Sequence, residues 1–345
     1  MKEKVVRPEF PSLVADHNLA SNIPEIRVAV IIPCFRVTAH ILDVLAAIGP
    51  ECDCIYVVDD ACPDGSGAWV ESHCSDPRVV VLRNPHNLGV GGAVMHGYRA
   101  ALADGMTIMV KVDGDGQMDP ALIADFISPI VAGEADYTKG NRFFDLEQIR
   151  QMPKMRLFGN AVLSFMTKLS SGYWDLFDPT NGYTAIHREA ARHLPLDKIS
   201  SRYFFETDML FRLNTLRATV VDVPMDAKYG DEVSHLKISK IVGEFLAKHL
   251  RNFCKRIFYN YYLRDMSLAS LELPLGAALV LFGGLFGTYQ WWHSSQVGGS
   301  TPVGTVMLAA LPVLMGTQLV LAFLAHDIAS VPRRPLQRRR RTSKR

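Results

Sequence analysis

An apolar strand that runs directly into an acidic turn is encoded by Ile108-Met109-Val110-Lys111-Val112-Asp113-Gly114-Asp115-Gly116-Gln117. Open α/β sheets bind ligands just beyond the carboxyl ends of their strands, so an acidic turn in this place predicts a binding site. Glycine between the two aspartates lets the backbone turn sharply, which allows both carboxylates to face one ion. Because carboxylate and amide oxygens are hard ligands, Asp113, Asp115 and Gln117 predict a site for Mg²⁺ or Mn²⁺.

The segments on either side of this turn alternate between strand and helix patterns. Short, continuous apolar runs predict buried strands at Arg27–Pro33, Cys54–Asp59, Val79–Arg83 and Thr107–Val112. Helical spacing is found at Thr38–Ile48, Gly91–Ala103, Pro120–Ala132 and Met155–Leu169. Strands that alternate with helices predict an α/β fold built on a doubly wound, mostly parallel sheet.

Two further motifs follow the second and third strands. Asp59-Asp60 forms an acidic loop with Asp64-Gly65-Ser66, in which Asp60 either binds a base or ribose or stabilises a local turn. A glycine turn spans Asn87–Ala93, but Val94 replaces the last glycine of a dinucleotide fingerprint, and the segment follows the third strand. No Gly-Lys-Ser/Thr follows the turn either, which excludes a Walker loop. The turn is therefore expected to approach a nucleotide or a neighbouring helix closely.

Two charge-free apolar runs, Leu273–Trp292 and Val303–Ala325, lie near the C-terminus. At ~1.5 Å per residue, runs of about 20 residues can cross a hydrocarbon layer of ~30 Å. The link His293–Pro302 contains no Lys or Arg, whereas both outer flanks are rich in them. The positive-inside rule then predicts a transmembrane helical hairpin with both flanks in the cytoplasm. The alternative, a buried helical pair in a soluble core, is disfavoured by the length and the lack of charge.

Basic residues surround the two apolar runs. Leu236–Leu263 mixes bulky apolar side chains with Lys and Arg, which is typical of a helix lying on anionic lipid or of a solvated helix packed on the domain. Its aromatic residues favour the membrane interface. After the second run comes an arginine-rich tail. It predicts contact with anionic membrane lipids and no nucleic-acid partner, because no base-reading module accompanies it.

Composition limits the other function classes. The formal net charge of +2 gives the whole chain no strong electrostatic preference. The six cysteines form no CxxC pair and no zinc-type spacing, as expected in a reducing compartment. Met1–Ile26 has no apolar core like that of a signal peptide, so the catalytic part is expected to remain in the cytoplasm.

Taken together, the motifs resemble those of the family 2 glycosyltransferases over most of Arg27–Lys240. The opening strand with Cys34-Phe35, the acidic loop at Asp60 and the glycine turn each resemble family motifs, with Cys62 in place of a serine. Asp113-Gly114-Asp115-Gly116-Gln117 is similar to the D-x-D-x-Q of the branch that makes dolichyl- or polyprenyl-phosphate sugars. Further counterparts are Gly140-Asn141-Arg142, Met155-Arg156, Asp178–Tyr183 and Lys228-Tyr229-Gly230.

The resemblance implies a GT-A fold, a nucleotide-diphosphate sugar donor and a divalent metal. It implies donor binding by Pro33, Phe35, Asp60, Gly89 and Asp113. The metal would be held by Asp113, Asp115 and Gln117, and the phosphate of a polyprenyl phosphate acceptor by Arg142, Arg156 and Lys228. Asp115, Arg156 and Glu206 are the expected catalytic residues, with Glu206 in a positioning role. Lys228 replaces a common arginine and Asn141 a common serine, which affects the expected acceptor geometry.

The resulting expectation is an inverting glycosyltransferase at the cytoplasmic membrane face. Its parts are an N-terminal extension (1–26), a GT-A catalytic domain (27–235), basic interfacial helices (236–266), two transmembrane helices (267–326) and a cytoplasmic tail (327–345). A saccharide or lipid hydroxyl acceptor is the alternative, and it would require a carboxylate base such as Glu206. A catalytically inactive, nucleotide-binding membrane scaffold is disfavoured by the intact Asp113, Asp115 and Gln117. The donor base and sugar, and assembly into a homo-oligomer, stay open.

Overall fold

The computed structural model describes residues 26–144, 154–226 and 238–338, without the side chains of 154–156 and 238–241. Lys228, most of the N-terminal extension and the end of the arginine-rich tail lie outside the described residues. Arg156 lies on a described helix, but its side chain is outside the description.

Seven strands form one mixed sheet in the order β3-β2-β1-β4-β6-β5-β7. All neighbouring strands are parallel except for β6, which is antiparallel to β4 and β5. Because β6 is reversed, its first residues lie at the same sheet edge as the carboxyl end of β4, with Thr184 opposite Lys111. The strand bounds are β1 Val28–Cys34, β2 Cys54–Asp59, β3 Val79–Arg83, β4 Ile108–Lys111, β5 Tyr137–Asn141, β6 Thr184–His187 and β7 Val220–Pro224.

Helices cover both faces of this sheet, which confirms the predicted doubly wound α/β fold. The first seven are α1 Ile41–Ala47, α2 Ser66–His73, α3 Val90–Ala103, α4 Ile123–Val131, α5 Lys154–Ser171, α6 Arg188–His193 and α7 Phe205–Leu216. Helices α1, α2 and α4 bury Ile41, Val70 and Phe126 in the core on one face. Helices α3, α6 and α7 bury their apolar sides on the other face, with Tyr98 and Leu210 among the core residues. Every strand and helix predicted before residue 170 is present; β2 and β3 have the predicted bounds, and the bounds of the others are shifted by a few residues.

The C-terminal part of the described chain is helical. A long amphipathic helix, α8 Ile238–Phe258, continues into a π-helical turn, Tyr259–Arg264, and then into α9 Ala269–Val297 and α10 Val303–Ala329. Helices α9 and α10 are long and apolar enough to cross a membrane. Leu285 and Leu314 are 71% and 67% exposed, whereas a helix of a soluble core would bury such side chains. Two apolar helices of this kind indicate membrane association.

The two long helices pack closely against each other through glycines. A Cβ on Gly276 would lie 2.9 Å from the carbonyl oxygen of Gly316, and a Cβ on Gly316 would lie 2.7 Å from that of Gly276. Any side chain at these positions would therefore separate the backbones. Small residues commonly allow such close packing between helices in membranes.

Both ends of the hairpin are joined to the sheet domain. Before α9, the Asn260 amide donates to the side-chain oxygen of Asn214 in α7 at 2.9 Å. Asp327, near the end of α10, accepts hydrogen bonds from Arg256 of α8 and from the indole N–H of Trp174. Beyond α10, the backbone N–H groups of Leu336 and Gln337 donate to the carboxylate of Asp136, next to β5. The chain thus leaves the sheet domain before α9 and returns to it after α10.

Candidate active site

A cavity of about 500 Å³ opens at the carboxyl edge of the central strands. It is lined by the ends of β1 and β4, the glycine turn before α3 and the start of α7. Seven of the residues named from the sequence line it: Pro33, Phe35, Asp60, Gly89, Asp113, Asp115 and Glu206. Side chains from segments far apart in the sequence therefore meet in one place.

The acidic turn after β4 presents two carboxylates to this cavity. Asp113 and Asp115 both line it, and an Asp115 oxygen accepts the backbone N–H of Gln117 at 3.0 Å. Gly116 has a φ of +78°, a left-handed conformation that favours glycine and lets the chain turn back toward α4. Gln117 follows the turn but does not line the cavity.

Lys111, the last residue of β4, is buried beneath the acidic turn. Its ammonium lies 2.8 Å from Asp113 and is only 1% exposed. Gly182 packs directly against this pair, since a Cβ there would lie 2.3 Å from Lys111 Nζ and 3.1 Å from Asp113 Oδ2. A side chain at this position would therefore displace the Lys111 ammonium from its present contact with Asp113.

Asp60 holds the glycine turn in place. Its carboxylate accepts the backbone N–H groups of Leu88 and Gly89 at 2.8 and 2.7 Å and the Asn84 amide at 2.7 Å. Gly89 has a φ of +83°, and a Cβ there would lie 2.6 Å from the Ser201 carbonyl oxygen. The glycine turn is thus fixed between Asp60 and the loop before α7. The local turn after β2 is held instead by Asp59, which accepts the backbone N–H groups of Cys62 and Gly67 at 2.8 and 2.9 Å. The role expected for Asp60 in donor binding stays a prediction.

Glu206 enters the cavity from the first turn of α7. Burial raises the pKa of its carboxyl to about 7, even though the nearby Lys111 ammonium opposes the rise. A carboxyl group with this pKa is a mixture of neutral and ionised forms at neutral pH. Such a group can donate a hydrogen bond or act as a general base.

Arg142 lies after β5, outside the residues that line the cavity, and is held by a carboxylate. Its Nε and Nη2 donate to the two oxygens of Asp178 at 2.7 and 2.9 Å. Burial opposes ionisation of Asp178, but the Arg142 guanidinium more than offsets this and lowers the pKa of the carboxyl. This forked pair fixes the orientation of Arg142, whose expected role in acceptor binding stays a prediction.

Among the cavity residues with no role assigned from the sequence are Lys111, Arg202 and Tyr203. Lys111 lines the cavity together with Arg202 and Tyr203 of the loop before α7. A lysine within an otherwise apolar strand was the available signal for Lys111, because a buried ammonium needs a partner. Arg202 and Tyr203 gave no such signal, since their approach to the cavity depends on how the loop folds back.

Comparison with known proteins agrees with this geometry. A sequence profile described as "Glycosyl transferase family 2" matches residues 29–194. The chain is also 34% identical over 198 residues to the undecaprenyl-phosphate mannosyltransferase of Micrococcus luteus, a match that covers 56% of this chain and 79% of that protein. The chain belongs to glycosyltransferase family 2. The polyprenol monophosphomannose synthase of Mycolicibacterium smegmatis is 30% identical over 207 residues, which cover 59% of this chain and 77% of that one.

Solved structures match the fold of this glycosyltransferase. Glucosyl-3-phosphoglycerate synthase from Mycobacterium tuberculosis, in complex with uridine diphosphate, superposes with a TM-score of 0.50 and 17% identity. The match covers 67% of this chain and 80% of that one. A second structure of that enzyme, with Mn²⁺, uridine diphosphate and phosphoglyceric acid, also has a TM-score of 0.50. These likenesses establish the GT-A-like fold.

Proposed function

We propose that this protein transfers a sugar from a nucleotide-diphosphate sugar to a polyprenyl phosphate, such as undecaprenyl or dolichyl phosphate, with inversion at the anomeric carbon. The observation that carries the proposal is the meeting of Asp113, Asp115, Asp60 and Glu206 in one cavity at the sheet edge. The names of two relatives, an undecaprenyl-phosphate mannosyltransferase and a polyprenol monophosphomannose synthase, support a lipid phosphate as the acceptor.

The nucleotide would lie between β1 and the glycine turn. Phe35 lines the cavity with 43% of its surface exposed, so its ring is available to a base, and Pro33 lies beside it. Asp60 and Gly89 border the same region. Because Gly89 has no side chain, the glycine turn would leave room for the donor there. Asp113, held by Lys111, would face the donor from the opposite side of the cavity.

The acidic turn suits a divalent cation. Asp113 and Asp115 supply carboxylate oxygens within the cavity, and Gln117 is the nearest amide in the sequence. Within the described ranges, no third His, Cys, Asp or Glu completes a protein-only metal cluster, so the diphosphate would supply the remaining oxygens. Mg²⁺ or Mn²⁺ bound there would stabilise the negative charge of the departing nucleotide.

The reaction requires the protein mainly to align two anions. A phosphate oxygen of the acceptor would form a bond to the anomeric carbon while the bond from that carbon to the diphosphate oxygen breaks, and the electron pair leaves with the nucleotide. Because a phosphate monoester is already anionic at neutral pH, no general base is required. Asp178 takes the Nε and Nη2 edge of Arg142 and so orients its guanidinium, whose positive charge would attract the acceptor phosphate; Arg156 and Lys228 are proposed to assist it.

Helices α9 and α10 would place this chemistry beside a membrane. At ~1.5 Å per residue, each exceeds a hydrocarbon layer of ~30 Å. Contacts with the sheet domain from Asn260 before α9 and from Leu336 after α10 support a hairpin whose two ends lie on the same side. We propose that this side is the cytoplasm, with α8 at the surface of the cytoplasmic or inner membrane and anionic lipids around it.

Glu206 supports a second candidate function. A pKa of about 7 suits a general base that removes the proton of a hydroxyl group. The same protein would then act on a saccharide or another lipid hydroxyl. The two functions differ in the expected sensitivity of residue 206, because a phosphate acceptor needs no base.

The test is to incubate membranes that contain the protein with labelled UDP-glucose, GDP-mannose or UDP-N-acetylglucosamine and with undecaprenyl phosphate. We expect one label to enter an acid-labile, solvent-extractable lipid. Asp115→Ala and an excess of chelator should each abolish it, whereas Asp125→Ala, an exposed aspartate on α4, should not.

Two outcomes would reject the proposal. Full activity of Asp115→Ala, or of the wild-type protein in chelator, would remove the cation from the mechanism. Label in an acid-stable product that depends on Glu206, with no acid-labile lipid, would favour the hydroxyl acceptor.

A further inference from the structure

A second cleft, of about 520 Å³, lies away from the active site between α7 and α8. Its volume falls within the range of ~300–1,000 Å³ that is typical of small-molecule sites. Five cationic side chains line it: Lys198, Arg212, Lys248, Arg251 and Lys255. Neither the donor cavity nor the expected acceptor residues include any of them.

One buried carboxylate forms the floor of this cleft. Asp208 is 4% exposed and accepts the Ser200 backbone N–H at 2.9 Å, Arg212 Nε at 3.2 Å and the Asn252 amide at 3.2 Å. Its oxygens thus hold the loop before α7, α7 itself and α8 together. The carboxylate offsets one of the five positive charges.

Most of the remaining positive charge has no acidic partner. Lys248 pairs with Glu244 at 2.6 Å, whereas Lys198, Arg251 and Lys255 form no ion pair within the part of the chain that the structure describes. The pKa of the Lys255 ammonium is lowered, first by burial and then by repulsion from Arg251 and Arg212. Lys255 is half-buried, whereas Lys198 and Arg251 are exposed, so the unpaired positive charge of the cleft is accessible to an anion.

The position of the cleft relates it to the membrane. Exposed apolar residues follow a neighbouring stripe of α8, with Leu246, Leu250 and Phe258 exposed by 56%, 60% and 52%. Tyr259 borders the cleft and begins the π-helical turn that leads into α9. An amphipathic helix lies with its apolar face among acyl chains and its basic flank at the head groups. The cleft would then open at the depth of lipid phosphates.

We propose that this cleft binds the phosphate group of an anionic bilayer phospholipid, separately from the polyprenyl phosphate acceptor. Lys198, Arg251 and Lys255 would contact the phosphate oxygens, and Arg212 would be held behind them by Asp208. Bound lipid would fix α8, and with it the sheet domain, at a set depth. The inference uses the membrane placement proposed above and does not depend on the transfer reaction.

Native mass spectrometry of the full-length protein in neutral detergent tests this site. With no nucleotide sugar present, we expect the wild type to retain one phosphatidylglycerol in preference to phosphatidylcholine. Arg251→Gln/Lys255→Gln should weaken that binding by at least about tenfold, because charge-assisted contacts are lost. Arg251→Lys/Lys255→Arg keeps the charges and should bind as the wild type does.

The matched control removes two charges elsewhere. Arg333 and Arg334 follow α10, are exposed and do not line the cleft. Arg333→Gln/Arg334→Gln should retain the lipid. Asp115→Ala should retain it as well while losing transfer, which separates a failure of this inference from a failure of the proposed reaction.

Four outcomes would overturn the inference. The first is unchanged lipid binding by Arg251→Gln/Lys255→Gln, and the second is an equal loss in the Arg333/Arg334 control, which would indicate general charge attraction. The third is displacement of the lipid by millimolar inorganic phosphate, which would assign the cleft to a soluble anion. The fourth is preferential displacement by undecaprenyl phosphate, which would make it an acceptor site.

Discussion

Replacing Asp327 by Asn tests how the apolar hairpin is held to the sheet domain. The Asp327 carboxylate accepts Arg256 Nη1 and Nη2 at 2.6 and 3.0 Å, the Tyr261 hydroxyl at 2.6 Å and the Trp174 indole N–H at 2.8 Å. Arg256 is 1% exposed and Asp327 2% exposed, so neither charge can be solvated by water instead. Asparagine keeps the shape of the side chain but removes its negative charge and one acceptor.

The size of the effect follows from the charge left behind. Removing one partner of a buried ion pair destabilises a protein by about 3–5 kcal/mol, because the other charge stays buried without compensation. For a domain of this size, each kcal/mol shifts the melting temperature by about 2–4 °C, which gives a decrease of roughly 6–20 °C. Tyr261→Phe removes a single bond to a charged acceptor and should cost about 1.5–3 kcal/mol.

The assay is thermal unfolding of the purified protein in a fixed detergent at constant concentration. The double variant Arg256→Met/Asp327→Leu removes both charges and should recover part of the stability lost in Asp327→Asn, although Tyr261 and Trp174 still lose their acceptor. A melting temperature of Asp327→Asn within about 2 °C of the wild type would refute the reasoning. A double variant less stable than the single one would refute it too, since it would assign the stability to contacts other than the pair.

Three further changes test the site itself. Gly182→Ala would place a Cβ 2.3 Å from Lys111 Nζ, so we expect transfer to fall by at least about tenfold, whereas Gly243→Ala, with open space around it, should leave transfer unchanged in the same assay. Asp60→Asn replaces one oxygen of a carboxylate that accepts three hydrogen bonds, so the free energy of unfolding should fall by about 1–3 kcal/mol. The KM for the donor should rise as well, and an unchanged KM would contradict this reasoning. Burial raises the pKa of Glu206 to about 7, so the folded protein favours the neutral acid. The contribution of Glu206 to the free energy of unfolding is therefore fully present below its ordinary pKa of 4.5 and is lost as the pH rises through 7. Glu206→Gln should therefore gain about 1–3 kcal/mol relative to the wild type above pH 7 and nothing near pH 4, measured as unfolding against pH.

Local patterns were sufficient for most of the sheet domain. β2 and β3 have the bounds that their apolar runs predict, and α3 begins within the predicted glycine turn. A buried strand and an amphipathic helix are each specified by a short stretch of sequence, so local reading succeeds. The sequence also predicted the sheet edge at which the motifs meet, because parallel strands bring their carboxyl ends together.

Contacts between distant segments could not be predicted in this way. Arg142 meets Asp178 and Asp327 meets Arg256 across many residues of chain, and no periodicity encodes such pairs. Strands β5, β6 and β7 were not predicted from the sequence, and neither was the reversal of β6, because Thr184–His187 contains only two apolar residues and has no strand pattern of its own. Lys111 illustrates the same limit. The strand pattern places it near the carboxyl end of β4, but only the folded chain shows its contact with Asp113.

The charges in the active-site cavity favour a bound cation together with a Glu206 that is partly neutral at pH 7. Asp113 and Asp115 face the cavity over the single ammonium of Lys111, so this corner has an excess of negative charge that would repel a nucleotide diphosphate. A divalent cation bound there would reverse the sign of that corner and attract the diphosphate. An ionised Glu206 would cancel part of this attraction, and burial limits that loss by raising the pKa of the carboxyl to about 7. We therefore expect donor binding to weaken in chelator and also as the pH rises above 7, with the pH effect absent in Glu206→Gln; donor affinity independent of both would contradict this account.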